Sequence, residues 1–474
     1  MAMLPLLPSI NHPLWQLNAA RDEMVSKDPS APNILILVFD ALSATNMSLY
    51  GYPRATTPNL DRFSQKATVF HRHYAGGTFT TPGTASLLTG AYPWSHRAFH
   101  LYGTVDKKFE QQNVFQGLPA DTYYRTTYTH NDLAAALLYQ FRDDLDLFKK
   151  IYELSLYYEI PLADTLFEQD HNAAFLGERV IVRGQRGQSH QMPSSLLAGM
   201  LHKIWRTASK GSIQHQYRDL FPRGVPSTNA APLFFLLEDA IDWVQAETNR
   251  KTPYLGYFHF FPPHEPYNTR HEFVNIFKDG WSPVSKPAHR FSDGIDQNTL
   301  DKQRRHYDEF IAYADAEFGR LYSYMEQENL LENTYIIVTS DHGEMFERGI
   351  LEHITPTLYE PLVHIPLLIS RPGQHQRIDV QDPTSCVDLL PTLYHITGQP
   401  EPAASDGQIL PTFGERDPSP ERSIFTMDAK SNPKMGPLVE GSVALIKGRY
   451  KLIHYLGSND AALGYEFYDL EHDP

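Results

Sequence analysis

Three strongly apolar runs, each ending in ionisable side chains, most limit the folds open to this chain. They are NILILVFDAL (Asn33–Leu42), YLGYFHFFPPHEPY (Tyr254–Tyr267) and TYIIVTSDHGE (Thr334–Glu344). Continuous runs of this kind are typical of strands buried on both faces, as in a parallel sheet. Helical patterns lie between them, which predicts a doubly wound α/β sheet flanked by helices. In such sheets ligands bind beyond the carboxyl ends of the strands, where these ionisable side chains lie.

The pattern along the chain predicts one large domain with a smaller companion. Residues 1–30 are predicted to be an N-terminal leader. Residues 31–378 are predicted to form the catalytic domain, with an inserted cap at about 144–223. Residues 379–474 are predicted to form a C-terminal α+β subdomain on a short antiparallel sheet, because SVALIKGRYKLIHYL and GYEFYDLEHDP alternate like antiparallel strands. We expect this subdomain to be incomplete.

Composition and net charge limit the partners of this protein. With 41% hydrophobic and 20% charged residues, the chain is typical of globular proteins. Its formal net charge of −15 argues against a nucleic-acid partner, and a small anionic substrate would need compensation from a metal ion or a few cationic groups. No basic region of a signal peptide and no run of membrane-spanning length is present. We therefore expect a cytoplasmic protein without stable membrane insertion, and homo-oligomerisation stays open.

The stretch GGTFTTPGTASLLTG, from Gly76 to Gly90, predicts a buried helix that starts near Pro82. A threonine just before the proline is an ordinary helix cap. The same hydroxyl would also lie in the positive field of a helix N-terminus, which stabilises developing negative charge and bound anions. By itself the stretch therefore allows Thr80 to be a cap, a nucleophile or both.

Carboxylate, hydroxyl and imidazole groups at the strand ends and at this helix start form a mixed set of metal ligands: Asp40, Thr80, Asp341 and His342. Such a set suits Zn, Mn, Mg or Ca, and we expect one or two divalent ions. A metal bound to a threonine oxygen favours loss of its proton and so activates the nucleophile. Each residue alone has an ordinary explanation as a turn or helix cap. Their joint placement favours a site.

Two further histidines could complete this site. His264 in FPPHEPY and His353 in ILEHITPTLYEP could bind a second metal, grip substrate oxygens or protonate the leaving group. Each alone is more often a turn or surface residue. The residues themselves do not choose among these roles.

These motifs, in this order, resemble the sulfatase-like branch of the alkaline phosphatase superfamily. The opening strand with its acid and the TPNLDRFS helix are similar to the family's first motif. TTPGTASLLTGAYPWSHR resembles the sulfatase signature, and HFFPPHEPY, TSDHGE, LYEP and the C-terminal GRYKLIHY follow in family order. The resemblance covers nearly the whole chain except about 144–223, and it implies an alkaline-phosphatase-like mixed sheet.

Departures from the family pattern fall on the groups that hold a sulfate. The catalytic cysteine or serine of sulfatases falls on Thr80, which is not a substrate for oxidation to formylglycine, and the signature arginine falls on Thr84. The family's Asp-Asp pair is Asp40-Ala41, and YTHND around His130 replaces Lys-x-His. The lysine expected before LYE is absent.

With these departures the chain looks like the phospho-transferring relatives, such as phosphoglycerol and phosphoethanolamine transferases, lipoteichoic acid synthases and phosphonoacetate hydrolases. The resemblance implies that the first metal is bound by Asp40, Thr80, Asp341 and His342. It implies that the second metal or the substrate lies beside His264 and His353. Because His130 and Asn131 stand where the family has Lys-x-His, the resemblance implies that they also contact the substrate.

We therefore expect a metal-dependent hydrolase of phosphate diesters, monoesters or phosphonates that works through a covalent Thr80 intermediate. The candidate catalytic residues are Thr80, His264 and His353. Three alternatives stay open: a sulfatase without formylglycine, a phosphoglycerol- or phosphoethanolamine-type transferase, and an inactive binding module of the same fold.

Overall fold

An eight-stranded sheet forms the centre of the computed structural model, which describes residues 26–157, 196–228, 233–415, 419–457 and 464–472. The strands are β1 (Asn33–Phe39), β2 (Thr68–Phe70), β3 (His73–Tyr74), β4 (Tyr124–Thr129), β5 (Leu147–Phe148), β6 (Ser155–Tyr157), β7 (Phe234–Phe235), β8 (Tyr254–Phe260), β9 (Thr334–Thr339), β10 (Met345–Glu347), β11 (Ile350–Glu352), β12 (Leu367–Ser370), β13 (Ile378–Val380), β14 (Thr384–Ser385), β15 (Ile424–Asp428), β16 (Gly441–Lys447), β17 (Tyr450–Leu456) and β18 (Tyr465–Asp469). Strand order in the central sheet is β13-β2-β12-β9-β1-β8-β4-β5.

The helices connect these strands and cover both faces of the sheet. They are α1 (Pro58–Ser64), α2 (Thr80–Thr89), α3 (Pro93–His96), α4 (Lys107–Glu110), α5 (Asp132–Gln140), α6 (Leu196–Gln216), α7 (Leu237–Thr248), α8 (Gln297–Gln327), α9 (Glu360–Val363) and α10 (Leu389–Ile396). Short 3-10 turns lie at Ala44–Asn46, Ser48–Tyr50, Arg142–Asp144, Ile151–Leu154, His271–Phe273, Leu330–Asn333 and Cys386–Asp388.

Strand β1 shows why the sheet is buried on both faces. Its residues alternate between two hydrophobic cores: Ile34, Ile36 and Val38 pack on one side with α2, α5 and α10. Leu35, Leu37 and Phe39 pack on the other side with α1, α7 and α8. Because successive side chains of a strand point to opposite faces, a continuously apolar strand requires a layer of helices on each face. This confirms the predicted doubly wound α/β class.

The register of the central strands brings distant residues to one edge. β1 pairs in parallel with β8 and β9, so that Val38 lies opposite both His259 and Thr339. β8 pairs in parallel with β4, where Thr129 lies opposite His259. β12 pairs antiparallel with both of its neighbours, which makes the sheet mixed. The residues that follow β1, β4 and β9 therefore leave the sheet beside one another.

A small antiparallel sheet forms the C-terminal part, in the order β15-β16-β17-β18. Its inner face packs on α9 through a separate core, in which Ile446 and Ile453 meet Leu362 and Val363. The predicted C-terminal sheet is therefore present, whereas the domain boundaries at 30 and 378 stay predictions. Residues 1–25 of the predicted leader and 158–195 of the predicted cap lie outside the described residues.

Within the described ranges, no helix has the length and apolar character that crossing a membrane requires.

Candidate active site and metal centre

Three buried side chains converge at the shared edge of β1, β8 and β9. Asp40 directly follows β1, His259 is the next-to-last residue of β8, and Asp341 follows β9 by two residues; none is exposed to solvent. His259 Nε2 lies 3.4 Å from Asp40 Oδ2 and 3.6 Å from Asp341 Oδ2. The ligand atoms of these three residues could together hold a metal ion.

The chemistry of these atoms fits a cation. Asp40 Oδ1, Asp341 Oδ2 and His259 Nε2 are all buried, and none has a hydrogen-bond partner among the described residues. Buried carboxylate oxygens without a partner are costly, and an ion that they coordinate would remove the cost. Two carboxylates and an imidazole are a suitable donor set for Zn²⁺ or Mn²⁺.

His342 contacts the same cluster of Asp40, His259 and Asp341. Its Nδ1 bonds the carbonyl oxygen of Gly343 at 2.9 Å, so that Nε2 faces Asp40 Oδ1 at 3.3 Å and Asp341 Oδ2 at 3.7 Å. Burial alone would lower the pKa of His342, but the two carboxylates outweigh it and raise the pKa to about 9.

The same charges act on the carboxyl group of Asp40. Burial would raise its pKa, but the nearby His264, His259 and His342 hold the pKa well below its usual range. The site therefore keeps a carboxylate that is ready to bind a cation.

Thr80 lies beside this cluster and is 1% exposed. Its Oγ1 accepts a hydrogen bond from Asn131 Nδ2 at 3.0 Å and lies 3.5 Å from His342 Nε2. The prediction that Thr80 also caps its helix is wrong: α2 already begins at Thr80, its cap is Phe79, and no side chain caps it. As the first residue of α2, Thr80 places its hydroxyl at the helix N-terminus beside the cluster.

Asn131 is held in one orientation by its own helix. As the N-cap of α5 it accepts from the backbone N–H groups of Leu133 and Ala134 through Oδ1. Nδ2 therefore points the other way and donates to Thr80 Oγ1 and to Asp40 Oδ2. The side chain thus links the hydroxyl to the predicted metal ligand.

The other predicted histidines border the site on the side of the β10–β11 hairpin. The ring of His353 lies 4.4 Å from the ring of His342 and 4.7 Å from that of His264, centre to centre. His264 Nδ1 bonds the carbonyl of Glu265 at 2.8 Å, and burial lowers the pKa of His264. Burial also lowers the pKa of His353, to about 3.

His130 takes a different position from its neighbour Asn131. Its buried ring lies against Phe235 and Tyr128, at centroid distances of 4.1 and 4.9 Å. Among the described residues neither ring nitrogen has a hydrogen-bond partner, and burial lowers the pKa of His130 to about 3. Its predicted contact with substrate stays a prediction.

Backbone packing sets the close approach of α2 to the metal ligands. A Cβ added to Gly83 would come within 2.2 Å of the backbone oxygen of Asp341, so only glycine allows this contact. Across the site, Ala41 has a positive φ of 60°, and its carbonyl accepts from Tyr307 Oη at 2.6 Å. Asp341 Oδ1 accepts from the backbone N–H of Ala41 and of His342.

Sequence reasoning missed two of these residues. His259 was part of the quoted strand, yet only its place one residue before the strand end distinguished it from a core histidine. Glu344 closes the TSDHGE motif and bonds His353 Nδ1 through Oε1 at 3.0 Å. Burial raises the pKa of Glu344 to about 8.

Comparison with known proteins gives one consistent family. The chain matches the family model described as Sulfatase over residues 32–174 and 203–399. It is 22% identical over 406 residues to an ulvan-active sulfatase of Formosa agariphila, covering 85% of this chain and 68% of the relative. It is 24% identical over 475 residues to a multifunctional alkaline phosphatase superfamily protein of Trinickia caryophylli, covering 89% and 85% of the two chains. The solved phosphonate monoester hydrolase of Agrobacterium radiobacter superposes with a TM-score of 0.60 at 19% identity, over 94% of this chain and 90% of the other.

Proposed function

This chain belongs to the sulfatase family of the alkaline phosphatase superfamily and is an ester hydrolase, and from that membership we propose that it hydrolyses small phosphorus esters with Thr80 as the nucleophile. The observation that carries the proposal is the buried Thr80 hydroxyl, which is hydrogen-bonded to Asn131 and lies beside His342. Phosphate diesters, phosphate monoesters and phosphonate monoesters are the substrate classes.

The residues at the sulfate-holding positions favour phosphorus over sulfur. Thr84, at the position of the signature arginine, is fully buried and carries no charge. Among the described residues no hydrogen bond joins a lysine or arginine to Thr80, Asp40 or Asp341. A phosphate ester's charge would then be offset by the metal centre and by the N-terminus of α2.

Asp40, His259, Asp341 and His342 would hold the divalent ion, with Thr80 as a further ligand. When bound, the ion stabilises the deprotonated hydroxyl and the charge of the substrate. The donor set suits Zn, Mn, Mg or Ca, bound as one or two ions.

The chemistry of the chain itself has two steps. Thr80 Oγ1 attacks phosphorus in line while the bond to the leaving oxygen breaks, which gives a phosphothreonine. Water then attacks phosphorus and the bond to Thr80 Oγ1 breaks. Asn131 Nδ2 keeps the Thr80 oxygen in place for both steps, and His264 or His353 would give a proton to the leaving oxygen.

The test is parallel turnover of an aryl phosphate monoester, a phosphodiester, a phosphonate monoester and an aryl sulfate by the metal-reconstituted protein. We expect Thr80→Ala to lower turnover of the phosphorus esters by roughly a thousandfold or more, because the nucleophile is lost. Thr80→Ser should retain activity. Thr81→Ala, which removes the neighbouring buried hydroxyl, is the matched control.

Each alternative has its own outcome. Preference for the sulfate ester would make the chain a sulfatase without formylglycine, which the ulvan-active sulfatase among its relatives favours as the second candidate. Transfer to an added alcohol in place of water would identify a transferase. Silence on all four esters, with no bound metal, would identify a binding module. When the reaction is quenched during turnover, mass spectrometry should also detect the phosphothreonine at position 80.

A further inference from the structure

We propose that Glu344 is a positioning residue that holds His353 with its Nε2 towards the leaving group of the substrate. The proposal rests on the proposed function, in that it assumes an ester whose leaving oxygen departs beside His353. It chooses one role for His353 among those left open above.

Glu344 and His353 flank the two paired strands of the hairpin. β10 and β11 pair with Met345 opposite Glu352 and Glu347 opposite Ile350. The two residues between them, Arg348 and Gly349, have positive φ values of 58° and 75°, as in a two-residue type I′ turn. Such a turn fixes the register of the strands. Glu344 and His353 lie one residue beyond the last paired residues, next to Glu352, whose φ of 73° ends the regular strand.

Burial of the Glu344 carboxyl group lowers the stability of the fold, which indicates that the residue has a role beyond packing. Glu344 is fully buried, and its Oε2 has no hydrogen-bond partner among the described residues. Its Oε1 bonds His353 Nδ1 at 3.0 Å. A buried carboxyl group with one oxygen unpaired destabilises the fold, and an apolar side chain of similar size would avoid that cost.

With Nδ1 bonded to Glu344, Nε2 is the ring nitrogen of His353 that has no hydrogen bond among the described residues. The buried ring lies against those of His342 and His264, so it borders the cluster. Since Nδ1 is engaged by Glu344, rotation of the ring would break the bond, and Nε2 is held at the site. A carboxylate that orients a histidine in this manner is a general device of acid–base catalysis.

The proton count of the pair is balanced over the reaction. At the start one proton lies between Glu344 Oε1 and His353 Nδ1, and a second lies on Nε2, so the pair is neutral. As the phosphorus–oxygen bond breaks, the leaving oxygen takes the Nε2 proton and the shared proton stays on Nδ1. In the second step the attacking water returns a proton to Nε2.

A series of esters with leaving groups of rising pKa tests this role, from p-nitrophenyl to alkyl. We expect Glu344→Gln to lower kcat/KM by about 10- to 100-fold for alkyl esters and by less than about threefold for the p-nitrophenyl ester, since only poor leaving groups need a proton. His353→Asn should steepen the dependence of kcat/KM on the pKa of the leaving group at least as much. A merely structural role of Glu344 would lower all rates alike.

The double variant identifies the route of the effect. If Glu344 acts through His353, Glu344→Gln should change kcat/KM by less than about twofold in the His353→Asn background. Glu347→Gln, on the same hairpin and paired with Lys286 at 3.2 Å, is the matched control and should leave the dependence unchanged. Thermal unfolding of every variant monitors folding.

Three results would overturn the proposal. They are an unchanged leaving-group dependence in Glu344→Gln, full additivity in the double variant, and a lower metal content in Glu344→Gln, which would make Glu344 a metal ligand. If the wild type turns over only sulfate esters, the proposed function fails, and the same series made as sulfate esters then tests the pair by itself. Turnover of neither class would overturn both.

Discussion

At the scale of single residues, the site depends on which nitrogen of His259 is free. Tyr257 Oη lies 3.2 Å from His259 Nδ1, which leaves Nε2 facing Asp40 and Asp341. Outer hydrogen bonds of this kind orient a histidine ligand and set its basicity. His259 and Tyr257 lie two residues apart on one strand, so both point to the same face of the sheet.

We therefore predict that His259→Gln binds the divalent ion at least about a hundredfold more weakly than the wild type, because one ligand is lost. Tyr257→Phe should weaken binding by about tenfold, since it removes only the orienting hydroxyl. Competition with a chelator, followed by elemental analysis, measures both. His73→Gln, which alters another buried histidine bonded to Thr384, is the control and should keep full metal content. Undiminished metal binding by His259→Gln would show that His259 is not a ligand.

At the scale of elements, the N-terminus of α5 contributes both to the stability of the helix and to the hydrogen bonds of the candidate site. One side chain, Asn131, caps the helix with its oxygen and donates to Thr80 and Asp40 with its nitrogen. The two tasks use opposite ends of one amide group. A substitution can therefore keep the first while losing the second.

Asn131→Ala should lower the free energy of unfolding by about 1 kcal/mol, because the cap is lost, whereas Asn131→Ser should retain most of that energy. Both variants lose the amide donor, and we expect both to lower kcat by about a hundredfold. Urea unfolding and steady-state kinetics on the same preparations separate the effects. An Asn131→Ser protein with wild-type kcat would show that the donor is dispensable.

At the scale of the whole molecule, a few partly buried contacts attach the C-terminal sheet to the central domain. Glu466 on β18 accepts a hydrogen bond from Tyr359 Oη at 2.8 Å and pairs with His289 at 3.0 Å, and it also accepts from Tyr468 Oη of its own strand at 2.9 Å. Burial would raise the pKa of Glu466, but these three partners outweigh it and lower the pKa to about 2.

The stability of the molecule should depend on pH through this group. Since the pKa of Glu466 is lowered from 4.5 to about 2, its contribution is complete above about pH 4.5 and is lost as the pH falls towards 2. We predict that Glu466→Gln unfolds at a lower temperature than the wild type at pH 7. Because solvent screens this partly exposed group, the variant's free energy of unfolding should be lower by only about 1 kcal/mol. The difference should shrink between pH 4.5 and pH 3. A difference that is constant over this range would exclude the linkage.

Much of the fold was predictable because the responsible patterns are local. Continuous apolar runs predicted the buried strands, and alternation of apolar residues predicted the C-terminal hairpin. The placement of Asp40 and Asp341 after two such runs followed from the rule for strand ends. The helix cap assigned to Thr80 was wrong because the helix starts at Thr80, two residues before the start that Pro82 implies.

The sequence by itself determined the family, the doubly wound sheet and the candidate ligands at its strand ends, since each rests on neighbouring residues or on motif order. Only the tertiary structure decided that His259 reaches both aspartates, that the amide nitrogen of Asn131 faces Thr80, and that Glu344 bonds His353. These contacts depend on strand register, on helix capping and on which atom of a side chain is already occupied. The physical reason is that a hydrogen bond is decided within a few tenths of an ångström, and the packing of the whole sheet sets that distance.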